Sequence, residues 1–193
     1  LFINEVPGLS DKANTLFNQF DELGRILLES IALYLDLDET YFSKAINKGN
    51  SVMRAIHYPP VNRNEIGERA GAHEDINLIT LLIGGHESGL EILSKEGQWQ
   101  DATVDEEVII CNIGDMLQRL TNNFLLSTTH RVSASLLQSE SSRYSIPFFV
   151  HPNPDWEITT LPSCYNENTP NLYTESIMAE DYLQERLREI KLI

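Results

Sequence analysis

The chain has 193 residues and a formal net charge of −15, from 14 Lys and Arg against 29 Asp and Glu. This charge repels a phosphate backbone and argues against general nucleic-acid binding, and the absence of a long apolar stretch argues against a transmembrane helix. Hydrophobic residues make up 41% of the chain, as in globular proteins that bury a core without disulfides, so we expect its two cysteines to be reduced thiols in a cytoplasmic protein.

The first predicted element is a long helix. Ser10 or Asp11 can cap its start, and the apolar residues that follow are three or four positions apart, which places them on one face. These apolar residues are Leu16, Phe20, Leu23, Leu27, Ile31 and Tyr34. A second, shorter helix is predicted for Glu39–Ile46. The segment 1–50 is therefore expected to be a helical lead-in.

The pattern changes to strands after Gly49 and Asn50. Short apolar or alternating stretches, separated by turn residues, predict an antiparallel sandwich or barrel in the segment 51–152. The predicted strands are Val52–Tyr58, Ile76–Ile83, Leu90–Leu93, Val108–Ile113, Ser127–Ser133 and Arg143–Val150. The polar stretch Val61–Gly71 is predicted to be a loop.

The segment 153–193 is expected to be an irregular tail followed by a C-terminal helix. Prolines interrupt its first part, and an acidic helix is predicted for about Glu175–Ile190. The expected inner face of this helix consists of Ile177, Tyr182, Leu183, Leu187 and Ile190.

Two short motifs carry side chains that bind metals. In His73-Glu74-Asp75, the alternation of an extended chain sends His73 and Asp75 to one side. His130 follows 55 positions after Asp75, within a predicted strand. Alone, the first motif fits an ion pair at a strand edge and the second a hydrogen-bonded core histidine. Together, two His and one carboxylate form the facial triad of non-haem Fe(II) oxygenases, whereas zinc favours a tetrahedral site with N or S ligands.

A third motif, Arg143-Tyr144-Ser145, suits a bound carboxylate. Arg143 and Ser145 share a strand face, and a guanidinium beside a hydroxyl can hold a carboxylate. The alternative is a surface arginine on an edge strand, which Pro147 also fits.

Tyr58, in His57-Tyr58-Pro59-Pro60, is a candidate partner of the same carboxylate. It shares a predicted strand face with Arg54 and Ile56, so its phenol can reach the carboxylate. A buried tyrosine whose hydroxyl bonds elsewhere fits the sequence equally well.

These motifs, in this order, resemble the iron(II)/2-oxoglutarate-dependent oxygenases of the isopenicillin N synthase-like group. The matching stretches between about Val52 and Pro152 are RAIHYPP, GAHEDINLITLL, GLEIL, GQWQDA, NIGD, TTHRV and RYSIPFF. The resemblance implies a single oxygenase domain over 1–193. Its fold is mainly β with flanking helices: a double-stranded β-helix (jelly roll) at 51–152, preceded by a long helix and followed by a C-terminal helix. Family members usually carry a further N-terminal region, so we expect either a fragment or a less enclosed active site.

The resemblance also implies residue roles. It makes three residues the iron ligands: His73, Asp75 and His130. It also implies that the distal carboxylate of 2-oxoglutarate is bound by Arg143, Ser145 and Tyr58. Phe149 shares the Arg143 face and is a candidate substrate contact, with a plain core phenylalanine as the alternative. The NIGD stretch is expected to be structural, with Gly114 in a tight turn.

The implied activity is oxidation of a small molecule coupled to decarboxylation of 2-oxoglutarate. Hydroxylation, desaturation or cyclisation is the outcome, Fe(II) is the metal and dioxygen is consumed. One alternative is an Fe(II) oxidase of the same family that does not use 2-oxoglutarate. The others are a non-catalytic jelly-roll binding module and a cupin-type enzyme with Zn or Mn. We expect no membrane or nucleic-acid partner, and the sequence leaves the substrate and the oligomeric state open.

Overall fold

The computed structural model describes residues 6–60, 68–84, 89–102, 105, 107–133 and 142–191. Its helices are α1 (Leu9–Tyr34), α2 (Asp115–Leu120) and α3 (Ala179–Glu189), with 3₁₀ turns at Tyr41–Lys44 and Pro162–Cys164. Its strands are β1 (Val52–Met53), β2 (Ile56–Tyr58), β3 (Glu68–His73), β4 (Ile79–Gly84), β5 (Leu90–Leu93), β6 (Trp99–Asp101), β7 (Ile109–Ile113), β8 (His130–Ser133), β9 (Arg143–Val150), β10 (Glu157–Ile158) and β11 (Ile177–Met178). Among these residues, no helix combines the length and the apolar character needed to cross a membrane.

Within the described residues, two antiparallel sheets form the body of the fold. The first has the order β1-β9-β4-β7, with β2 also paired to β9, and the second has the order β3-β8-β5-β6. A separate pair, β10-β11, lies in the C-terminal segment. The prediction of a mainly β fold with flanking helices is therefore confirmed.

Strand β9 separates the hydrophobic core from the space between the two sheets. Because successive side chains of a strand point to opposite faces, Phe148 lies on the side of α1 while Arg143 and Ser145 lie on the other side. The Phe148 ring is fully buried, with its centroid 5.1 Å from that of Phe17 and 5.2 Å from that of Phe20. Aromatic pairs at such distances add to the stabilisation that burial provides. Packing of α1 thus fixes the strand whose other face carries the candidate carboxylate site.

The start and the inner face of α1 differ from the prediction. Gly8, with φ of 76°, is the N-cap, and no side chain caps the first turn, so neither Ser10 nor Asp11 has that role. The buried centre line runs through Phe20, Gly24, Leu28 and Ala32, and Tyr34, expected on the inner face, is 69% exposed. A Cβ at Gly24 would lie 2.9 Å from Val150 Cγ2. Gly24 therefore lies where the helix comes closest to the sheet. A sequence pattern of large apolar residues does not reveal this position.

Other boundaries also need correction. Residues 68–71, predicted as loop, belong to β3, which pairs with β8 although its sequence has little apolar alternation; residues 61–67 lie outside the described part. The helix predicted for Glu39–Ile46 is a single 3₁₀ turn. Helix α3 begins at Ala179 because the preceding two residues pair with β10, and Ile190, expected on its inner face, is 50% exposed. The short elements α2 and β6 are not predicted, since neither is long enough to show a period.

Gly114 lies where α2 approaches the segment 75–78, which joins β3 to β4. Its φ is −102°, so the left-handed conformation of a tight turn is not the reason for glycine here. A Cβ would lie 2.1 Å from Asn77 Oδ1 and 2.4 Å from the Asn77 carbonyl oxygen. Three consecutive amides, from Gly114 to Met116, donate hydrogen bonds to carbonyls of the segment 75–78. Glycine is required because two backbones are in contact.

We expect Gly114→Ala to lower the free energy of unfolding by about 3 kcal/mol or more, at or above the upper end of ordinary overpacking costs, because backbone atoms cannot move aside as a side chain can. Urea unfolding of the metal-free chain measures this change. Gly84→Ala is the control, since a Cβ there has no neighbour within 4 Å among the described residues, and its expected change is below about 0.5 kcal/mol. Equal losses in the two variants would contradict the close-approach explanation.

Candidate metal centre and co-substrate cavity

His73 and His130 face each other on neighbouring strands of the second sheet. His73 ends β3, His130 begins β8, and the two residues are direct partners in the register of this strand pair. Their ring centroids are 4.4 Å apart. Asp75 follows two residues after His73 and is 6% exposed. Strand pairing therefore brings together three side chains that are distant in sequence.

One atom from each of these three side chains lies close to a common point. Asp75 Oδ1 is 3.9 Å from His73 Nε2 and 3.8 Å from His130 Nε2, and the three atoms lie within 4.8 Å of one another. Among the described residues, no other group of three His, Cys, Asp or Glu side chains meets this condition. A single cation between them can contact all three.

Backbone carbonyls determine which nitrogen of each imidazole carries the proton. His73 Nδ1 lies 2.7 Å from the Gly71 carbonyl oxygen, and His130 Nδ1 lies 3.0 Å from that of Thr128. Since a carbonyl can only accept a hydrogen bond, Nδ1 is the protonated nitrogen and Nε2 keeps its lone pair for a metal. These partners are backbone groups, so no side-chain motif indicates them.

Two side chains hold the second oxygen of Asp75. Thr80 Oγ1 donates a hydrogen bond to Oδ2 at 2.7 Å, and Asn112 Nδ2 donates another at 2.8 Å. Asn77 Nδ2 in turn donates to Thr80 Oγ1 at 2.8 Å. The carboxylate is thereby turned so that Oδ1 faces the two imidazoles.

Thr80 and Asn112 are site residues that the sequence reasoning missed. Thr80 lies inside an apolar strand, and Asn112 belongs to the NIGD stretch, which was expected to be only structural. The two residues are direct cross-strand partners of β4 and β7. The available signal was a polar residue in each of two apolar strands, but it has meaning only once the register is known.

We expect Thr80→Val to weaken Fe(II) binding by about tenfold, because the loss of one hydrogen bond to a ligating carboxylate typically costs 10- to 100-fold in metal affinity. Titration of the metal-free chain with Fe(II) without oxygen measures the dissociation constant. Thr160→Val is the control, since the Thr160 hydroxyl is also buried and donates a hydrogen bond, at 3.1 Å, to the Tyr173 carbonyl away from the triad. Equal weakening in both variants would show that the effect is one of general stability.

An ion pair between a buried carboxylate and a partly exposed arginine lies behind the segment that carries Asp75. The Asp115 amide donates to the Asp75 carbonyl at 2.8 Å, and Arg186 Nε on α3 donates to Asp115 Oδ2 at 3.0 Å. Burial raises the pKa of the Asp115 carboxyl to about 6, against the opposing effect of the Arg186 guanidinium. Helix α3 is in this way connected to the backbone of the candidate metal ligand.

A cavity of about 340 Å³ lies between the two sheets, and the three candidate ligands form part of its wall. Arg143 and Ser145 also line it and are 3% and 5% exposed. The guanidinium carbon of Arg143 is 5.6 Å from the centroid of the Tyr58 ring, and these two residues are direct partners of β9 and β2. The structure thus brings together all three residues predicted to hold a carboxylate.

The location of β9 excludes the edge-strand alternative for Arg143. Strand β9 pairs with β1 and β2 on one side and with β4 on the other, so Pro147 lies in an interior strand. Phe149, the candidate substrate contact, also lines the cavity. Every residue that the sequence reasoning placed at the site therefore faces this one cavity.

Comparison with known proteins identifies the family. The sequence model of the 2OG-Fe(II) oxygenase superfamily matches residues 49–152, which is more than half of the chain. The chain belongs to this superfamily, whose cofactors are Fe(II) and 2-oxoglutarate.

Individual relatives agree with this assignment. A 2-oxoglutarate-Fe(II) type oxidoreductase of Emericella nidulans, hxnY, is 37% identical over 74% of this chain and 41% of that protein. A 2OG-Fe(II) oxygenase family protein from Caulobacter crescentus has 46% identity and a TM-score of 0.90, covering 98% of this chain and 62% of the other. A full-length Neurospora crassa protein, crystallised in complex with alpha-KG, has 34% identity and a TM-score of 0.85, covering 94% and 58%. These structures confirm the predicted jelly roll. The chain spans about half the length of the curated relatives that it matches.

Proposed function

We propose that the chain is the catalytic part of an Fe(II)/2-oxoglutarate-dependent oxygenase that hydroxylates, desaturates or cyclises a small molecule. The observation that carries this proposal is the convergence of Asp75 Oδ1 and two imidazole Nε2 atoms within 4.8 Å at the wall of one cavity. In this proposal His73, Asp75 and His130 are the iron ligands.

The donor set fits a ferrous ion. Two neutral imidazoles and one carboxylate form a facial triad, which leaves three coordination positions for exchangeable ligands. Both Nε2 lone pairs are available because each Nδ1 bonds to a carbonyl. The carboxylate supplies one negative charge, so the site retains a net positive charge and favours an anionic co-substrate.

Arg143, Ser145 and Tyr58 are proposed to hold the distal carboxylate of 2-oxoglutarate. A guanidinium forms two parallel hydrogen bonds with a carboxylate, and the hydroxyl of Ser145 lies two residues along on the same face of β9. Arg143 and Ser145 are buried, which strengthens a charge-assisted hydrogen bond because little water competes for it.

Bound iron, 2-oxoglutarate and dioxygen supply the oxidising chemistry, with succinate and carbon dioxide as the co-products. The chain's own residues bind and orient the metal, the co-substrate and the substrate, and they exclude water from the site. Thr80 and Asn112 fix the orientation of Asp75, and Leu82, Ile92 and Ile110 contribute apolar wall to the cavity. Phe149, on the same wall, is proposed to contact the substrate.

The substrate is proposed to be a small molecule. The cavity volume of about 340 Å³ lies in the range of small-molecule sites. The Neurospora crassa protein has also been crystallised with thymine, and a relative in Petromyces alliaceus is a proline hydroxylase. Both names refer to small molecules, which agrees with this proposal.

We propose further that residues 1–193 form a single oxygenase domain of the isopenicillin N synthase-like group, located in the cytoplasm, with no membrane or nucleic-acid partner. One hydrophobic cluster runs from Phe20 in the lead-in through the sheets to Ala179 in α3, which supports a single domain. Both Cys111 and Cys164 are free thiols, which fits a reducing compartment. The net charge of −15 disfavours nucleic acid.

Anaerobic addition of Fe(II) and then 2-oxoglutarate tests the proposed function. We expect a visible charge-transfer band that requires both additions, and slow formation of succinate once air is admitted. A folded chain that binds no iron would favour the non-catalytic binding module. A chain that binds Fe(II) without responding to 2-oxoglutarate would favour the Fe(II) oxidase, and copurification with Zn or Mn would favour the cupin-type alternative.

A further inference from the structure

Arg54 is a second guanidinium on the wall of the cavity, and none of the roles assigned above uses it. It lies between β1 and β2, and its amide donates to the Pro147 carbonyl at 3.0 Å, which aligns it with β9. Its side chain lines the cavity and is exposed. The rest of that strand face continues through Ile56 to Tyr58, so Arg54 shares a wall with the proposed 2-oxoglutarate site.

Arg54 lacks an acidic partner within the part of the chain that the structure describes. Three other arginines, Arg25, Arg131 and Arg186, each form ion pairs with Asp or Glu at 3.0 Å or less, whereas no described carboxylate lies within 4.0 Å of Arg54. Arg119 and Arg188 also lack a described carboxylate within 4.0 Å, but unlike Arg54 neither of them lines the cavity. A cation without a partner, placed over apolar walls, attracts anions into a cavity.

The position of Arg54 is separate from the end of the cavity assigned to 2-oxoglutarate. Arg54 is aligned with Pro147, and Arg143 lies four residues away along β9, which corresponds to about 13 Å of strand. Ile56, which also lines the cavity, is paired with Ser145 and so lies between these two positions along the strand pair. The two arginines are therefore anchored at different points of the cavity wall.

We propose that the primary substrate carries a carboxylate and that Arg54 binds it, which makes Arg54 a residue that determines specificity for acidic substrates. This proposal rests on the proposed function. The guanidinium can take the carboxylate in a two-point contact. The rest of the substrate then lies along the apolar wall towards the triad, in the part of the cavity that 2-oxoglutarate leaves open.

The test compares acids with their neutral amides as probes. Benzoate and benzamide, phenylacetate and phenylacetamide, and cyclohexanecarboxylate and its amide are titrated calorimetrically into the chain with Fe(II) and saturating 2-oxoglutarate, without oxygen. We expect at least one acid to bind about tenfold or more tightly than its amide, as befits a charge-assisted pair. In Arg54→Gln the preference falls to about twofold or less, and in Arg54→Lys part of it returns.

Arg188→Gln is the matched control, because Arg188 is exposed on α3 and does not line the cavity; it should keep the full preference. The Fe(II)–2-oxoglutarate charge-transfer band, recorded in the same samples, tests the proposed function independently of Arg54. If the band is normal, three results overturn the assignment of Arg54 alone. These are that no probe binds, that no acid is preferred over its amide, or that the preference survives in Arg54→Gln. Absence of the band in the native chain overturns both proposals.

Discussion

Asp75→Asn is expected to weaken Fe(II) binding by more than about 100-fold and to abolish succinate formation. Asp75 supplies the only negative charge of the proposed ligand set, and its Oδ2 already accepts hydrogen bonds from Thr80 and Asn112. An amide placed there must either present its NH₂ group to these two donors or turn that group towards the metal. Loss of supporting hydrogen bonds alone costs 10- to 100-fold in metal affinity, so loss of the ligand should exceed that range.

Metal titration and succinate analysis measure this effect, and Asp181→Asn is the control. Asp181 is exposed in the first turn of α3 and does not line the cavity, so Asp181→Asn removes the same charge outside the site. The unfolding midpoint of the metal-free chain shows whether Asp75→Asn is folded. Native affinity for Fe(II) in a folded Asp75→Asn chain would remove Asp75 from the ligand set.

Arg143→Gln is expected to raise the dissociation constant for 2-oxoglutarate by about 100-fold while leaving Fe(II) binding within about twofold. The guanidinium is 3% exposed and lines the cavity, and a charge-assisted hydrogen bond contributes about 1.5–3 kcal/mol, or roughly tenfold to 100-fold in affinity. Arg143→Lys keeps the charge but loses the planar fork, so its dissociation constant should lie between those of the native chain and Arg143→Gln.

Titration of the charge-transfer band with 2-oxoglutarate at saturating Fe(II) gives these constants. Arg188→Gln again controls for the loss of one positive charge, and the iron titration of each variant controls for damage to the triad. An unchanged constant in Arg143→Gln would place the distal carboxylate elsewhere. Weakening of Fe(II) and 2-oxoglutarate by the same factor would instead indicate a change in the fold.

The sequence predicted those parts of the site that depend on residue type and local spacing. His73 and Asp75 are two residues apart, and Arg143 and Ser145 likewise, so strand alternation alone places each pair on one face. Their chemistry is specific enough to be recognised without coordinates. The link to His130 required the family resemblance, because nothing local connects it to residues 73–75.

What the sequence did not predict depends on contacts between distant segments. Thr80 and Asn112 acquire their role only through the register of β4 and β7, and Gly114 only through contact with the Asn77 backbone. Helix α1 was predicted, but its predicted inner face differs from the observed one, because Gly24 lies where the helix comes closest to the sheet. In each case a small or polar residue is explained by its partner in space and not by its neighbours in the chain.

Because β9 belongs at once to the interior behind α1 and to the cavity, its two faces cannot be changed independently. Phe148 packs against Phe17 and Phe20. This packing fixes the distance between α1 and β9, the strand that carries Arg143 and Ser145. We therefore expect a repacking substitution in the N-terminal helix to shift Arg143 and Ser145, the proposed co-substrate contacts. Directed evolution for new substrates should accordingly begin on Arg54, which lies between β1 and β2 on the cavity wall, and leave the helix-facing side of β9 as it is.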